Sequence, residues 1–166
     1  MTDTREPVTV VETHVRLPFR YFAGAYTARF LRAIKDEGRI LGVRCTRCRL
    51  VLVPPRIACT ACWEDTGEWV PVASRGILTT FVVVNVPFYG QKVEIPYVLG
   101  HVLLDGADTS IMHLVQEIPV GEVRMGMRVE ASWKPPEERE GSLTDIRHFR
   151  PTGEPDVPIE RFIDKL

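Results

Sequence analysis

Residues 45–62 read CTRCRLVLVPPRIACTAC and hold all four cysteines of the 166-residue chain, in the spacing C-x2-C-x10-C-x2-C. A C-x-x-C turn places two thiolates on one side of an ion with backbone amides directed at the sulfurs, and two such turns complete a tetrahedral shell. Pro54 and Pro55, between the two pairs, disfavour both helix and central strand. The stretch therefore reads as two knuckles on a short hairpin that hold one zinc ion through Cys45, Cys48, Cys59 and Cys62. Four thiolates leave no open position for water or substrate, so the ion supplies folding energy rather than Lewis-acid catalysis. Iron is the rival metal. Rubredoxin-like knuckles usually place glycine after the second cysteine of each pair, where the backbone needs positive φ, and this chain has Arg49 and Trp63 there.

Upstream of the cysteines, Phe19, Phe22, Ala23, Tyr26, Phe30 and Ile34 recur at helical spacing and Gly38 stands as a C-terminal stop, which predicts an amphipathic helix over 19–38. Residues 1–18, with Pro7 and Pro18, read as an extended arm. The ribbon is assigned to 39–70. Beyond it the pattern turns to β: GILTTFVVVNVPF, IPYVLGHVLLD, TSIMHLVQEI, MRVEASW and LTDIRHF are rich in β-branched and aromatic residues and are separated by turn residues. Five strands over 71–150 predict a small closed barrel of the OB-fold kind, with a sandwich as the alternative. The tail, 151–166, carries three prolines and then Ile159, Phe162, Ile163 and Leu166, enough for one or two helical turns that must dock to be stable.

The hydrophobic fraction of 45% is that of a globular chain, and no run of eighteen apolar residues occurs. The N-terminal MTDTREPVTV has no secretory pattern, so the expected address is the cytoplasm, where paired cysteines favour metal over disulfides. The formal net charge of −1 hides an asymmetry: residues 1–62 carry +6 and residues 63–166 carry −7. Phosphates are drawn to the front half and repelled by the back.

With helix, ribbon and barrel in this order, the chain resembles the prokaryotic zinc-ribbon/OB-fold proteins associated with acyl-CoA enzymes. The likeness is carried by EGRILGVRC, CTRCRLVLVPPRIACTAC, SRGILTTFVVVNVPF, IPYVLGHVLLD, GMRVEASW and HFRP, over about residues 20–152. The family usually has glycine in place of Arg49 and proline in place of Thr60; neither is a ligand. The resemblance implies a non-catalytic accessory subunit that assembles as a hetero-oligomer with a thiolase-superfamily enzyme or a related acyl-CoA aldolase or synthase. It also implies that the chain helps hold the CoA thioester, with the catalytic residues on the partner. Thiolase-type acyl transfer needs a reactive cysteine, and every cysteine here is assigned to metal.

If CoA lies against the basic front, Arg44, Arg47, Arg49 and Arg56 are the candidates for its phosphates, since a guanidinium makes paired charge-assisted bonds. Phe88 and Tyr89, in the loop between the first two barrel strands, are candidates for its acyl or adenine end. His14, His101, His113 and His148 are scattered, with no nucleophile or metal-ligand spacing beside them, and Glu137, Glu138 and Glu140 read as a solvated loop. No G-x-S-x-G, phosphate-cradling Gly-rich loop or H-E-x-x-H occurs. Two other functions compete: a single-stranded nucleic-acid binder, disfavoured by the acidic barrel and a pI near 6.4, and an electron carrier with iron in the cysteine site. No membrane association is expected.

Overall fold

The computed structural model describes Val10 and residues 17–165. The first helix, α1, spans Ala25–Arg32 and widens into a π turn over Ala33–Glu37. It starts six residues later than the apolar period predicts. Gly24, at φ 82 and ψ 159, breaks the helical path, and Phe19 and Phe22 before it are exposed. The predicted stop is where it was expected: Gly38 takes the left-handed conformation and donates its amide to Ile34. Phe30 and Ile34 form the buried face of this helix. The arm expected over 1–18 lies mostly outside the described residues.

Three strands follow, β1 (Ile40–Cys45), β2 (Val51–Leu52) and β3 (Thr66–Val72), in an antiparallel sheet of order β2-β1-β3. β3 was not predicted; most of it lies within the stretch assigned to the cysteine ribbon. It is an edge strand, where a proline costs no ladder bond. Trp69 on β3 stands opposite Val43 and packs against Tyr26, 5.3 Å between ring centres, while the Tyr26 hydroxyl donates to the Thr66 carbonyl. These contacts fix α1 to the ribbon.

The remaining strands are β4 (Arg75–Val84), β5 (Tyr97–Leu104), β6 (Ile111–Val115), β7 (Arg128–Trp133) and β8 (Ile146–Pro151). They close in the order β4-β5-β6-β8-β7, the five-stranded barrel of the OB-fold. β6 and β8 are parallel and meet at one registered pair, Val115 and Phe149, so this is the narrow seam of the closure. Leu78, Val102, Val129, Ile146 and Phe149 fill the interior. One core cluster continues from there through Val51 and Val53 to Phe30 and Ile34, so barrel, ribbon and helix share it. The tail docks by 3-10 turns at 159–161 and 163–165 rather than by α-helix, and Phe162 is buried while Ile159 and Ile163 stay exposed. No helix among the described residues is long and apolar enough to cross a membrane.

Candidate metal centre and its surroundings

The two C-x-x-C turns are built alike. The Cys45 amide donates to the Leu50 carbonyl at 2.9 Å, and the Cys59 amide donates to the Glu64 carbonyl at 2.9 Å. Each turn then needs a left-handed residue after its second cysteine, and Arg49 (φ 67) and Trp63 (φ 62) both take it. The missing glycines therefore do not change the backbone of the knuckles, and that backbone does not distinguish zinc from iron. Thr46 joins the turns, its amide and hydroxyl both donating to the Asp65 carbonyl.

This folding brings the four sulfurs together, all within 4.8 Å of one another. Cys45 and Cys62 are 3.5 Å apart, and Cys48 and Cys59 are 3.4 Å apart. These distances are too long for disulfides and near the edge of about 3.8 Å that a tetrahedron of zinc–sulfur bonds requires. The donor set fits the ion on chemical grounds as well. Burial opposes ionisation of Cys45, but the amides of Cys48 and Arg47 and the neighbouring thiols outweigh it and bring its pKa to about 6. At Cys48 the Leu50 amide favours the thiolate, yet burial and the thiols of Cys59, Cys45 and Cys62 push it up to about 12. The amides of Ala61 and Cys62 lower Cys59. Four thiolates so close together need a cation among them, and a divalent ion supplies it. Cys45, Cys48, Cys59 and Cys62 would hold it, closing its coordination shell with sulfur.

Of the arginines proposed for phosphate, three are engaged. Arg47 pairs with Glu64 at 3.4 Å across the two knuckles. Arg49 donates to Glu68 at 3.1 Å, and Arg44 Nε lies 3.2 Å from the same carboxylate. Arg56 is exposed and pairs with no carboxylate among the described residues. Phe88 and Tyr89 are exposed on the loop between β4 and β5, so they belong to the barrel and not to the ribbon that carries the arginines.

The histidines do not converge. His113 packs edge-on to Phe149, His148 bonds Glu117 at 2.7 Å, and His101, exposed on β5, bonds Ser110 at 3.1 Å. His14 lies outside the described residues. Glu137, Glu138 and Glu140 are exposed, and Glu138 reaches Arg147 at 3.2 Å. Asp145 went unnoticed in the sequence: its buried carboxylate accepts the amides of Glu140, Gly141 and Ser142 and organises the turn into β8. Its spacing after Ser142, a capping-box pattern, was the available signal.

Comparison with known proteins agrees with this geometry. Residues 32–67 match the family described as ChsH2, rubredoxin-like zinc ribbon domain, and residues 69–134 match ChsH2, C-terminal OB-fold domain. A DUF35 domain-containing scaffold protein of Methanocaldococcus jannaschii is 30% identical over 126 residues, which cover 74% of this chain and 89% of that protein. A chain of the solved Ltp2-ChsH2(DUF35) aldolase is 25% identical, with a TM-score of 0.60, over 80% of this chain and 98% of that one. A DUF35-family protein of unknown function from Sulfolobus solfataricus shares the fold at 17% identity and a TM-score of 0.53, over 65% of this chain and 78% of that one. With its cysteine knuckles, its five-stranded barrel and these relatives, the chain belongs to the DUF35 family of zinc-ribbon/OB-fold proteins.

Proposed function

We infer that the chain is a non-catalytic accessory subunit of an acyl-CoA enzyme that makes or breaks carbon–carbon bonds, its partner being a thiolase-superfamily subunit or an acyl-CoA aldolase. The observation that carries this reading is the alignment of nearly the whole of a chain from the Ltp2-ChsH2(DUF35) aldolase with this one. The scaffold protein of Methanocaldococcus jannaschii supports it from sequence. The chemistry of the chain agrees. Its four cysteines are gathered in one cluster, so a thiolase-type nucleophile would come from the partner.

In this role the zinc is structural and the ribbon is a rigid mount. The chain would help hold CoA through Arg56 and the basic ribbon, with Phe88 and Tyr89 offering ring faces on the barrel loop. Co-expression with a thiolase-superfamily or aldolase subunit encoded nearby, with purification through a tag on this chain, tests the reading. The expected result is a stable complex carrying zinc in the small subunit, and CoA-thioester cleavage that needs both proteins. A zinc-loaded chain that brings down no such enzyme would refute it.

A further inference from the structure

β4 is longer than the strand beside it. It pairs with β5 from Gly76 to Val84 but with β7 only over Arg75–Ile77, and the last backbone bonds on that side join Leu78 to Gly126 and Met127. A bulge follows, between Leu78 and Thr80, and bends the strand away from β7. From Thr80 to Val84 the backbone groups that turn away from β5 meet no backbone partner among the described residues; the Asn85 side chain reaches the Val83 carbonyl at 3.4 Å. The barrel closes along Arg75–Leu78 and leaves this edge open.

Open edges are ordinarily guarded by charge or proline. From Gly76 to Gln91 no charged residue occurs, and the first proline is Pro87. Side chains alternate along the strand: Phe81 and Val83 pack on the core, so Thr80, Val82 and Val84 face outward, and Val82 is 54% exposed. The register carries this outward face across the sheet. Val82 stands beside Leu99 and Leu99 beside Leu114, while His101 stands between Thr80 and Met112. An OB-fold commonly takes its ligand on this side of the barrel, but a phosphate backbone would find no Lys or Arg among these residues.

We propose that the β4 edge pairs with the same edge of a second copy of this chain, antiparallel and centred on Val82, so that two barrels share one sheet. Such a pair has two-fold symmetry, and its edge must be its own complement. This edge is. The register sets Val82 against Val82 of the other copy, Thr80 against Val84, and Phe81 against Val83, which gives β-branched pairs on the outward face and aromatic–β-branched pairs on the inward one. No charge on the strand meets its like across the axis, and none is present to select a foreign strand. A chain of net charge −1 adds little repulsion of its own. The pairing goes beyond the accessory-subunit reading and does not depend on it; in a hetero-oligomer it would put a two-fold axis on the small subunit.

The test is analytical ultracentrifugation of the zinc-loaded, full-length chain at micromolar concentration. Wild type and Val82→Thr should sediment as dimers. Val82→Lys sets two ammonium groups face to face and should weaken the dimer by about tenfold or more, with zinc content and circular dichroism unchanged. In oxidised glutathione, Val82→Cys should join two chains by one disulfide between the two copies of position 82, whereas Met112→Cys, two strands from the axis, should not. A monomeric wild type, or a dimer that Val82→Lys leaves intact and Val82→Cys does not link, would overturn the pairing and leave the accessory-subunit reading untouched. A monomer whose Val82→Lys variant loses capture of the co-expressed acyl-CoA enzyme would overturn the second copy as the occupant and give the edge to a strand of the enzyme.

Discussion

Asp108 and Val51 hold each other twice: the Asp108 amide donates to the Val51 carbonyl at 2.8 Å, and the Val51 amide donates to the Asp108 carboxylate at 2.8 Å. Thr109 and Val53 repeat the arrangement, the Thr109 hydroxyl accepting from one Val53 backbone group and donating to the other. The loop between β5 and β6 thus grips β2, and Lys165 from the tail closes on Asp108 at 2.6 Å. Asp108→Ala leaves the Val51 amide unpaired in a part-buried place and should cost about 1–3 kcal/mol in a urea melt. Asp108→Asn keeps an oxygen for that amide and should cost less.

Gly76 is a matter of space. A Cβ there would come 2.1 Å from the Leu103 carbonyl oxygen, and backbone of a paired strand cannot give way as a side chain can. Gly76→Ala must part β4 from β5, at about 1–3 kcal/mol or more. Gly121, with open space around it and ordinary φ, is the control: Gly121→Ala should leave the melt unchanged or raise it slightly.

His113 sets a pH dependence with a definite sign. Its Nδ1 accepts the Leu114 amide at 2.9 Å, so the proton sits on Nε2, facing the Leu143 carbonyl at 3.2 Å. Burial above all lowers its pKa below the usual histidine value, against the pull of those two backbone groups. The unfolded chain takes up this proton near pH 6.5 and the folded chain does so only at lower pH, so stability is full above about 6.5 and falls as pH drops below it. Asp105, through Arg128, and Asp145, whose amide partners outweigh its burial, are held below the ordinary carboxylate range. Their contribution is complete above about pH 4 and is lost below it. Thermal midpoints from pH 8 to 3 should fall in two stages, and His113→Gln should remove the first.

Removing metal should unfold the ribbon before the barrel. Structural zinc contributes on the order of 10 kcal/mol to domains of this size. Cys48→Ser, or a chelator, should lower zinc content and uncouple one thermal transition into two, read by the emission of Trp63 and Trp69 in a Trp133→Phe background for the ribbon and by circular dichroism for the barrel.

Relief of the left-handed strain at Trp63 should show in the same melts. Trp63→Gly is expected to raise the stability of the ribbon by about 1 kcal/mol, less the entropy that glycine restores to the unfolded chain. A marked loss would mean that the indole packs in the fold after all.

The cysteine cluster and the barrel strands were legible because their signals are local: ligand spacing in one case, β-branched runs between turns in the other. The ordered start of α1 was not, since Phe19 and Phe22 keep the helical period up to the point where Gly24 breaks it. β3 was not separately legible either, since most of it lies within the stretch assigned to the cysteine ribbon. At Arg49 and Trp63 the sequence showed a departure from glycine but not that the turn is left-handed regardless. The pairing of Arg44 and Arg49 with Glu68 depended on β3, and that of Arg47 with Glu64 on the approach of the two knuckles, so the engagement of those three candidates could not be foreseen.

The closed sulfur shell has a consequence for the cell. On the proposed function, the ion takes no part in making or breaking the bond, yet the ribbon and the helix packed on it keep their shape through it. Scarcity of zinc, or an oxidant that expels it, would then silence the enzyme by dispersing the assembly while every catalytic residue remains intact.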